Sequence, residues 1–170
     1  MWVTFFLNTA FILHSVLGNV NGEESNPCPE GWIQATFVDM GCLLPNRTEA
    51  LTWDAANVYC QREENATLVD IQRPDQMEYL KMELSSIEEY LGPADYWAGA
   101  SDVGREGTWI WSDILMPVED FVWHSGPNHT YPSSGYAGNC LVITAFYGYE
   151  GVDGSCTESY KWYPICQKMV

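Results

Sequence analysis

Six cysteines behind an apolar leader constrain this chain more than any other feature: Cys28, Cys42, Cys60, Cys140, Cys156 and Cys166. Residues 5–17 (FFLNTAFILHSVL) are a mostly apolar stretch interrupted by polar Asn8, Thr9, His14 and Ser15. Small and turn-forming residues follow, and the first acidic residue is Glu23. Residues 1–22 therefore read as a secretory signal peptide, cleaved after Gly18 or Gly22. No Lys or Arg precedes the run, so the α-amine alone supplies its positive charge. The run is shorter than the roughly 20 residues a spanning helix needs. No other segment is long and apolar enough to insert. The expected product is secreted and extracellular, does not insert into a membrane, and exposes its thiols to an oxidising compartment.

Past the leader, residues 23–27 form a short N-terminal segment, and residues 28–168 are the length of one ordinary domain. Eight Trp and ten Tyr give it ample material for a core. The net charge of −16 lies wholly outside the leader. Such a charge repels nucleic acid, acidic lipid and sulfated sugars, which excludes a nucleic-acid partner. It favours neutral or cationic partners, or divalent cations. The sequons at Asn46, Asn65 and Asn128 are candidate glycosylation sites.

Residues 31–44 alternate loosely and predict a strand pair. Thr52 is placed as the N-cap of a helix over 53–64, with Trp53, Ala56 and Cys60 on one face. Residues 67–71 predict a short strand. Pro74 opens a second helix whose stripe is Met77, Leu80, Leu84, Ile87 and Leu91, read as packing on the domain's own sheet. Gly92-Pro93 ends it. The second half is rich in Trp, Tyr, Gly and Pro. It predicts short strands over 96–100, 108–111, 141–145 and 162–167, with a long irregular stretch over 113–139. The fold class is α+β.

Catalytic chemistry finds no footing. His124 and His129 are the histidines left after the leader, and the pair is too few for zinc. They read as a solvated loop. No Gly-x-Ser-x-Gly elbow is present. Glu63-Glu64 and Glu88-Glu89 read as exposed helix faces. No enzyme is expected. Trp97, Trp109 and Trp111 read as core, whereas Tyr131, Tyr136, Tyr147 and Tyr149 sit in the long loops as an aromatic contact surface.

The cysteine count alone leaves the pairing open. The flanking residues are more telling. Cys28-Pro29-Glu30-Gly31-Trp32 precedes Cys42, and Cys60 ends the first helix. Tyr96-Trp97-Ala98-Gly99-Ala100 is followed by Gly107-Thr108-Trp109-Ile110-Trp111-Ser112-Asp113, then by Trp123-His124-Ser125-Gly126-Pro127-Asn128. Cys140, Cys156 and Pro164-Ile165-Cys166-Gln167 close the series. In order and spacing this resembles a C-type lectin domain of the long form, over about 28–168. Gly104-Arg105-Glu106-Gly107 is most similar to secreted invertebrate members. The resemblance implies a C-type lectin-like fold: two helices flanking antiparallel sheets, a long loop region, and disulfides Cys28–Cys42, Cys60–Cys166 and Cys140–Cys156.

The resemblance also implies a calcium ion that bridges protein and sugar, a hard cation wanting roughly six to eight oxygens. The family's ligands are Glu and Asn of a Glu-Pro-Asn motif, a later Glu, and Asn and Asp of a Trp-Asn-Asp motif. In this chain Gly126-Pro127-Asn128 lacks the first Glu, Gly138 stands for the later one, and Gly151-Val152-Asp153 keeps only the Asp. Asn128 and Asp153 are thus the remaining metal-ligand and sugar-binding candidates. Glu150 or a shifted backbone is what is left to compensate. The family would make the bond before Pro127 cis. An auxiliary calcium site is implied by the spacing of Asp102 and Glu106, with Asn139 as a further contributor. The expected function is a secreted recognition domain, with carbohydrate as ligand class and a degraded calcium and sugar site. The rival expectation is calcium-independent binding of a protein or mineral surface by the same fold.

Overall fold

A computed structural model describes residues 27–127, 130–133, 138–157 and 159–170. The expected leader lies outside the described residues, as do Asn128, His129 and Tyr136.

Thr52 caps the first helix as its residue type predicts. Its hydroxyl accepts the Ala55 N–H at 3.3 Å, and α1 runs Trp53–Glu63. Trp53, Ala56 and Cys60 are the buried face. The Trp53 indole donates to the Ala98 carbonyl at 2.9 Å and so ties the helix to the sheet. The second helix, α2, runs Pro74–Leu91 with proline in its first turn. The Gln76 side chain reaches back to accept the N–H groups of Gln72 and Arg73, which the helix leaves without partners. Met77, Leu80 and Leu84 are buried, and Ile87 packs at the edge of the same cluster. Leu91 departs from the predicted stripe. It is 63 % exposed, because the last turn runs past the core before Gly92 (φ 77°) ends the helix.

Among the described residues nine strands form one sheet: β1 (Ile33–Gln34), β2 (Cys42–Pro45), β3 (Thr67–Leu68), β4 (Tyr96–Ser101), β5 (Ile110–Trp111), β6 (Met116–Pro117), β7 (Cys140–Thr144), β8 (Glu150–Gly154) and β9 (Tyr163–Lys168). The C-terminal strand β9 organises it, pairing antiparallel with β2 and β3 and parallel with β4. The sheet is therefore mixed, where antiparallel sheets were expected. Tyr96 and Trp97 face Tyr163 and Pro164 in the parallel register. A long excursion separates β4 from β9 along the chain, as a parallel pair requires. On its other side β4 pairs with β7, and β7 with β8. The strand expected over 67–71 shortens to Thr67–Leu68, and the pair expected over 31–44 is β1 and β2 joined through a 3-10 turn at Thr36–Val38. Strand β8 was not expected, since Glu-Gly-Val-Asp-Gly has poor intrinsic strand preference.

Two hydrophobic clusters result. One, beneath α2, holds Leu80, Leu84, Tyr96, Trp111, Leu141 and Ile165. The other, beneath α1, holds Trp53, Leu68, Trp97 and Val142 with five of the six half-cystines of the three bridges. Trp97, Trp109 and Trp111 are core residues, as read from the sequence. The disulfides are Cys28–Cys42, Cys60–Cys166 and Cys140–Cys156, as the resemblance implies.

Candidate binding site on the long-loop face

Beyond the ends of β7 and β8 the chain folds irregularly, and backbone hydrogen bonds hold it there. The His124 N–H donates to the Gly151 carbonyl at 2.8 Å, and the Tyr131 N–H to the His124 carbonyl at 3.0 Å. Residues 121–125 are thus laid along β8. The cis peptide among the described residues precedes Pro132, not Pro127 where the resemblance placed it.

Asp153, the acidic residue that the resemblance implies for a bridging site, is hydrogen-bonded within the protein. One oxygen accepts the Ser133 N–H at 2.7 Å, and the other accepts the Ser133 hydroxyl. Each oxygen of that carboxylate therefore already carries one hydrogen bond from the protein. Gly138 stands where the family has a glutamate, and a Cβ there would lie 1.9 Å from Asp153 Oδ2. The space for a 138 side chain is thus closed by the carboxylate that should have been its co-ligand. Val152 packs at the edge of the second cluster, and Gly126 has no side chain to offer. Glu150 does not compensate: it pairs with His124 Nδ1 at 2.7 Å and lies 3.6 Å from the Lys81 ammonium. Asn128 lies outside the described residues. The described residues do not fit a calcium ion shared with sugar.

The auxiliary pair behaves differently. Asp102 leaves β4 at 2 % exposure, and its Oδ2 accepts the Gly107 N–H at 2.8 Å. Gly107 adopts φ +73°, which lets the loop turn its amide inward. The Asp102 N–H donates to the Asn139 carbonyl at 3.1 Å, which brings the two residues side by side. Asp102 Oδ1 and Asn139 Oδ1 are buried acceptors with no hydrogen-bond partner. Burial raises the Asp102 pKa; the Gly107 amide opposes this, and the nearby Glu106 and Asp153 charges add to it. Among the described residues no three His, Cys, Asp or Glu side chains converge as a metal-binding group. Asp102, Glu106 and the Asn139 amide oxygen nonetheless match the donor chemistry of a hard, oxygen-seeking cation.

An aromatic face adjoins these loops. His124 and Tyr147 stack with ring centroids 3.6 Å apart and planes 10° from parallel. Tyr131 lies 6.1 Å from each, and Phe146 meets Tyr147 edge-on at 4.8 Å. Phe146 is 83 % exposed. His124 is therefore a packed residue, hydrogen-bonded to Glu150 and stacked on Tyr147, and not a solvated one. Tyr149 corrects the tyrosine set in the other direction: it is buried, and its hydroxyl donates to Glu88 at 2.8 Å. Neither Ser133 nor the His124–Glu150 pair was found from sequence, because each contact joins residues far apart in the chain.

The candidate glycosylation sites also differ. Asn46 is 9 % exposed, its amide nitrogen donates to the Tyr59 hydroxyl, and its Oδ1 accepts from Thr48. Asn65 is exposed.

A sequence profile of the lectin C-type domain matches residues 49–168. The chain belongs to the C-type lectin domain family. C-type lectin domain family 9 member A of Rattus norvegicus is 31 % identical over 103 residues, which is 60 % of this chain and 39 % of that one. The chain thus spans well under half the length of that relative. Among solved structures, human lithostathine matches with a TM-score of 0.70 at 23 % identity, covering 86 % of this chain and 94 % of that one. A calcium-independent type II antifreeze protein matches with a TM-score of 0.65 at 25 % identity, covering 84 % and 94 %. The family that matches is one of lectin domains. No helix among the described residues is long and apolar enough to cross a membrane.

Proposed function

We propose that this C-type lectin domain is an extracellular recognition module that binds glycans through its aromatic face, without a calcium ion shared between protein and sugar. The observation that carries this reading is the occupation of Asp153 by Ser133. A sugar can still bind where flat rings offer their faces to its C–H groups. The stacked His124–Tyr147 pair, flanked by Tyr131 and Phe146, supplies such rings in fixed orientation. Calcium has a separate place in the proposal. At Asp102, Glu106 and Asn139 it would neutralise two carboxylates and satisfy buried oxygens, bracing the loops without touching the ligand.

The test is retention of the oxidised protein on mannose and galactose resins, with calcium and then with chelator. Retention that survives chelator and is lost in Phe146→Ala or Tyr147→Ala supports the reading. Release by chelator alone would return the binding role to a bridging ion. In the same preparation calcium raises the melting temperature, and Asp102→Asn abolishes that rise.

A second reading keeps the fold and changes the ligand to a protein or mineral surface. The net charge of −16 favours it, since it suits a surface rich in cations. The likeness to a calcium-independent antifreeze protein lends it the fold-level precedent of binding without calcium. Adsorption to a calcium mineral, with no retention on any glycan, would select this second reading.

A further inference from the structure

A second concave region is built by different residues: the exit of β3, the start of α2, the turn after β5 and the end of β9. It is a cleft of about 180 Å³ whose walls include Asp39, Thr67, Asp70, Gln76, Asp113 and Gln167. It shares Thr67, Asp113, Gln167 and Met169 with a wider groove of about 530 Å³ that continues towards Asn65 and Gln61.

Most polar groups of the cleft wall are satisfied by the protein. Gln167 accepts the Asp70 N–H at 2.8 Å and donates to the Met40 carbonyl at 3.1 Å. Gln76 accepts from Gln72 and Arg73 and donates to the Val38 carbonyl at 3.0 Å. Asp39 is held by Arg73 at 3.2 Å. The Asp70 carboxyl is the exception. It is 6 % exposed, and its Oδ1 is buried without a hydrogen-bond partner. Gly99 leaves room for it, since a Cβ there would lie 2.9 Å from that oxygen. Exposed Asp113 adds a second negative charge to the same wall, and no ion pair among the described residues involves Asp70 or Asp113. Burial first, and then the Asp113 charge, push the Asp70 pKa up to about 7. The nearest lysine on the wider groove, Lys168, turns its ammonium over the Trp32 ring, 4.9 Å from its centroid. A buried carboxyl with an unmet oxygen and no internal cation is costly, and a bound cation offsets that cost.

We infer that this cleft is a second ligand site, distinct from the aromatic face, that takes the ammonium group of a primary alkylamine between Asp70 and Asp113. A metal ion fits less well. No three acidic side chains among the described residues converge on one point, and the Gln76 and Gln167 amide oxygens already accept backbone N–H groups. An ammonium brings three N–H donors that can divide between two separated carboxylates. The wider groove, lined by Ala66 and Met169 among others, takes the alkyl chain. The amine can belong to a free diamine or to a lysine side chain on a peptide.

Calorimetric titration at neutral pH with cadaverine, and separately with acetyl-Gly-Lys-Gly-amide, distinguishes these sources. The full protein is used, with N-glycans trimmed because the Asn65 sequon borders the wider groove. One-to-one saturable binding of at least one probe is expected. Asp70→Asn weakens it by about tenfold or more, Asp113→Asn weakens it less, and Phe146→Ala leaves it unchanged. The matching peptide with norleucine in place of lysine does not bind. Both aspartate variants keep nearly the native side-chain shape and remove one negative charge at the cleft, and melting curves verify that they fold. Absence of saturation for both probes at concentrations on the order of 10 mM overturns the inference. Equal affinity in Asp70→Asn overturns it as well, as does displacement of cadaverine by calcium in the native protein. Loss of glycan retention alone bears on the aromatic face and leaves this site untouched.

Discussion

Asp70 shows how one residue escapes a pattern reading. It sits in Leu68-Val69-Asp70-Ile71, an acidic residue in an apolar run, and that interruption is the one signal the sequence gives of it. The fold buries it against Gly99 and places Asp113 nearby, on a cleft that Asp39, paired with Arg73, also lines. Its pKa is raised from 3.8 to about 7 on folding, by burial first and Asp113 second. Between these values the unfolded chain has released the proton and the folded protein still holds it. Stability therefore falls as pH rises through that window, and the loss is complete above it. Asp70→Asn removes this penalty. The variant is expected to match the native protein near pH 4 and to exceed it at pH 8, by an amount on the order of a few kcal/mol. Chemical denaturation at the two pH values measures it, and an equal offset at both would refute the assignment. Gly138 and Asp153 teach the complementary point. A missing ligand is visible in sequence, but the Ser133 hydroxyl that bonds to Asp153 is not.

At the scale of elements, the two helices were the most legible parts. Their signals are local: Thr52 as cap, Pro74 in the first turn, and apolar residues at helical spacing. Thr52→Ala removes the acceptor of the Ala55 N–H and is expected to cost about 1 kcal/mol. Urea denaturation checks this; a change within error would mean that Leu51 and Trp162, whose backbones bridge at that corner, hold the helix start without the cap. Strands were less legible. β8 carries two glycines and an aspartate and is a strand only because β7 offers it a ladder. Gly151 is required there for a further reason: a Cβ would lie 2.2 Å from the Phe121 ring, where residues 121–125 cross. Leu91 kept the helical spacing but lost the core, because periodicity records a direction around the helix and not where the underlying sheet ends.

At the scale of the whole molecule, the disulfides divide the labour. Cys140–Cys156 links the start of β7 to the segment just after β8, next to the binding loops. Cys60–Cys166 joins α1 to β9 across 106 positions of sequence, with both residues in the cluster that includes Trp53 and Trp97. Replacing both by alanine is expected to destabilise the fold by about 4–5 kcal/mol, mainly through the freedom returned to the unfolded chain. Equilibrium denaturation under non-reducing conditions measures this, and a loss under about 1 kcal/mol would show that packing alone fixes these elements. The charge of −16 acts at the same scale. It bounds the partners without choosing one, because a summed field carries no address on the surface.

The sequence by itself determined the cysteine framework, the α+β class and both helices. Each of these depends on residue identity, local spacing, or position relative to a cysteine. Only the tertiary structure decided the rest. It closed Ser133 onto Asp153, stacked His124 on Tyr147, buried Tyr149, turned β9 parallel to β4, and left Asp70 Oδ1 buried without a hydrogen-bond partner. These contacts join segments that are distant in the chain. Their energies depend on distance and burial, quantities that exist only once the six cysteines have been drawn into their three bridges and the sheet has formed around them.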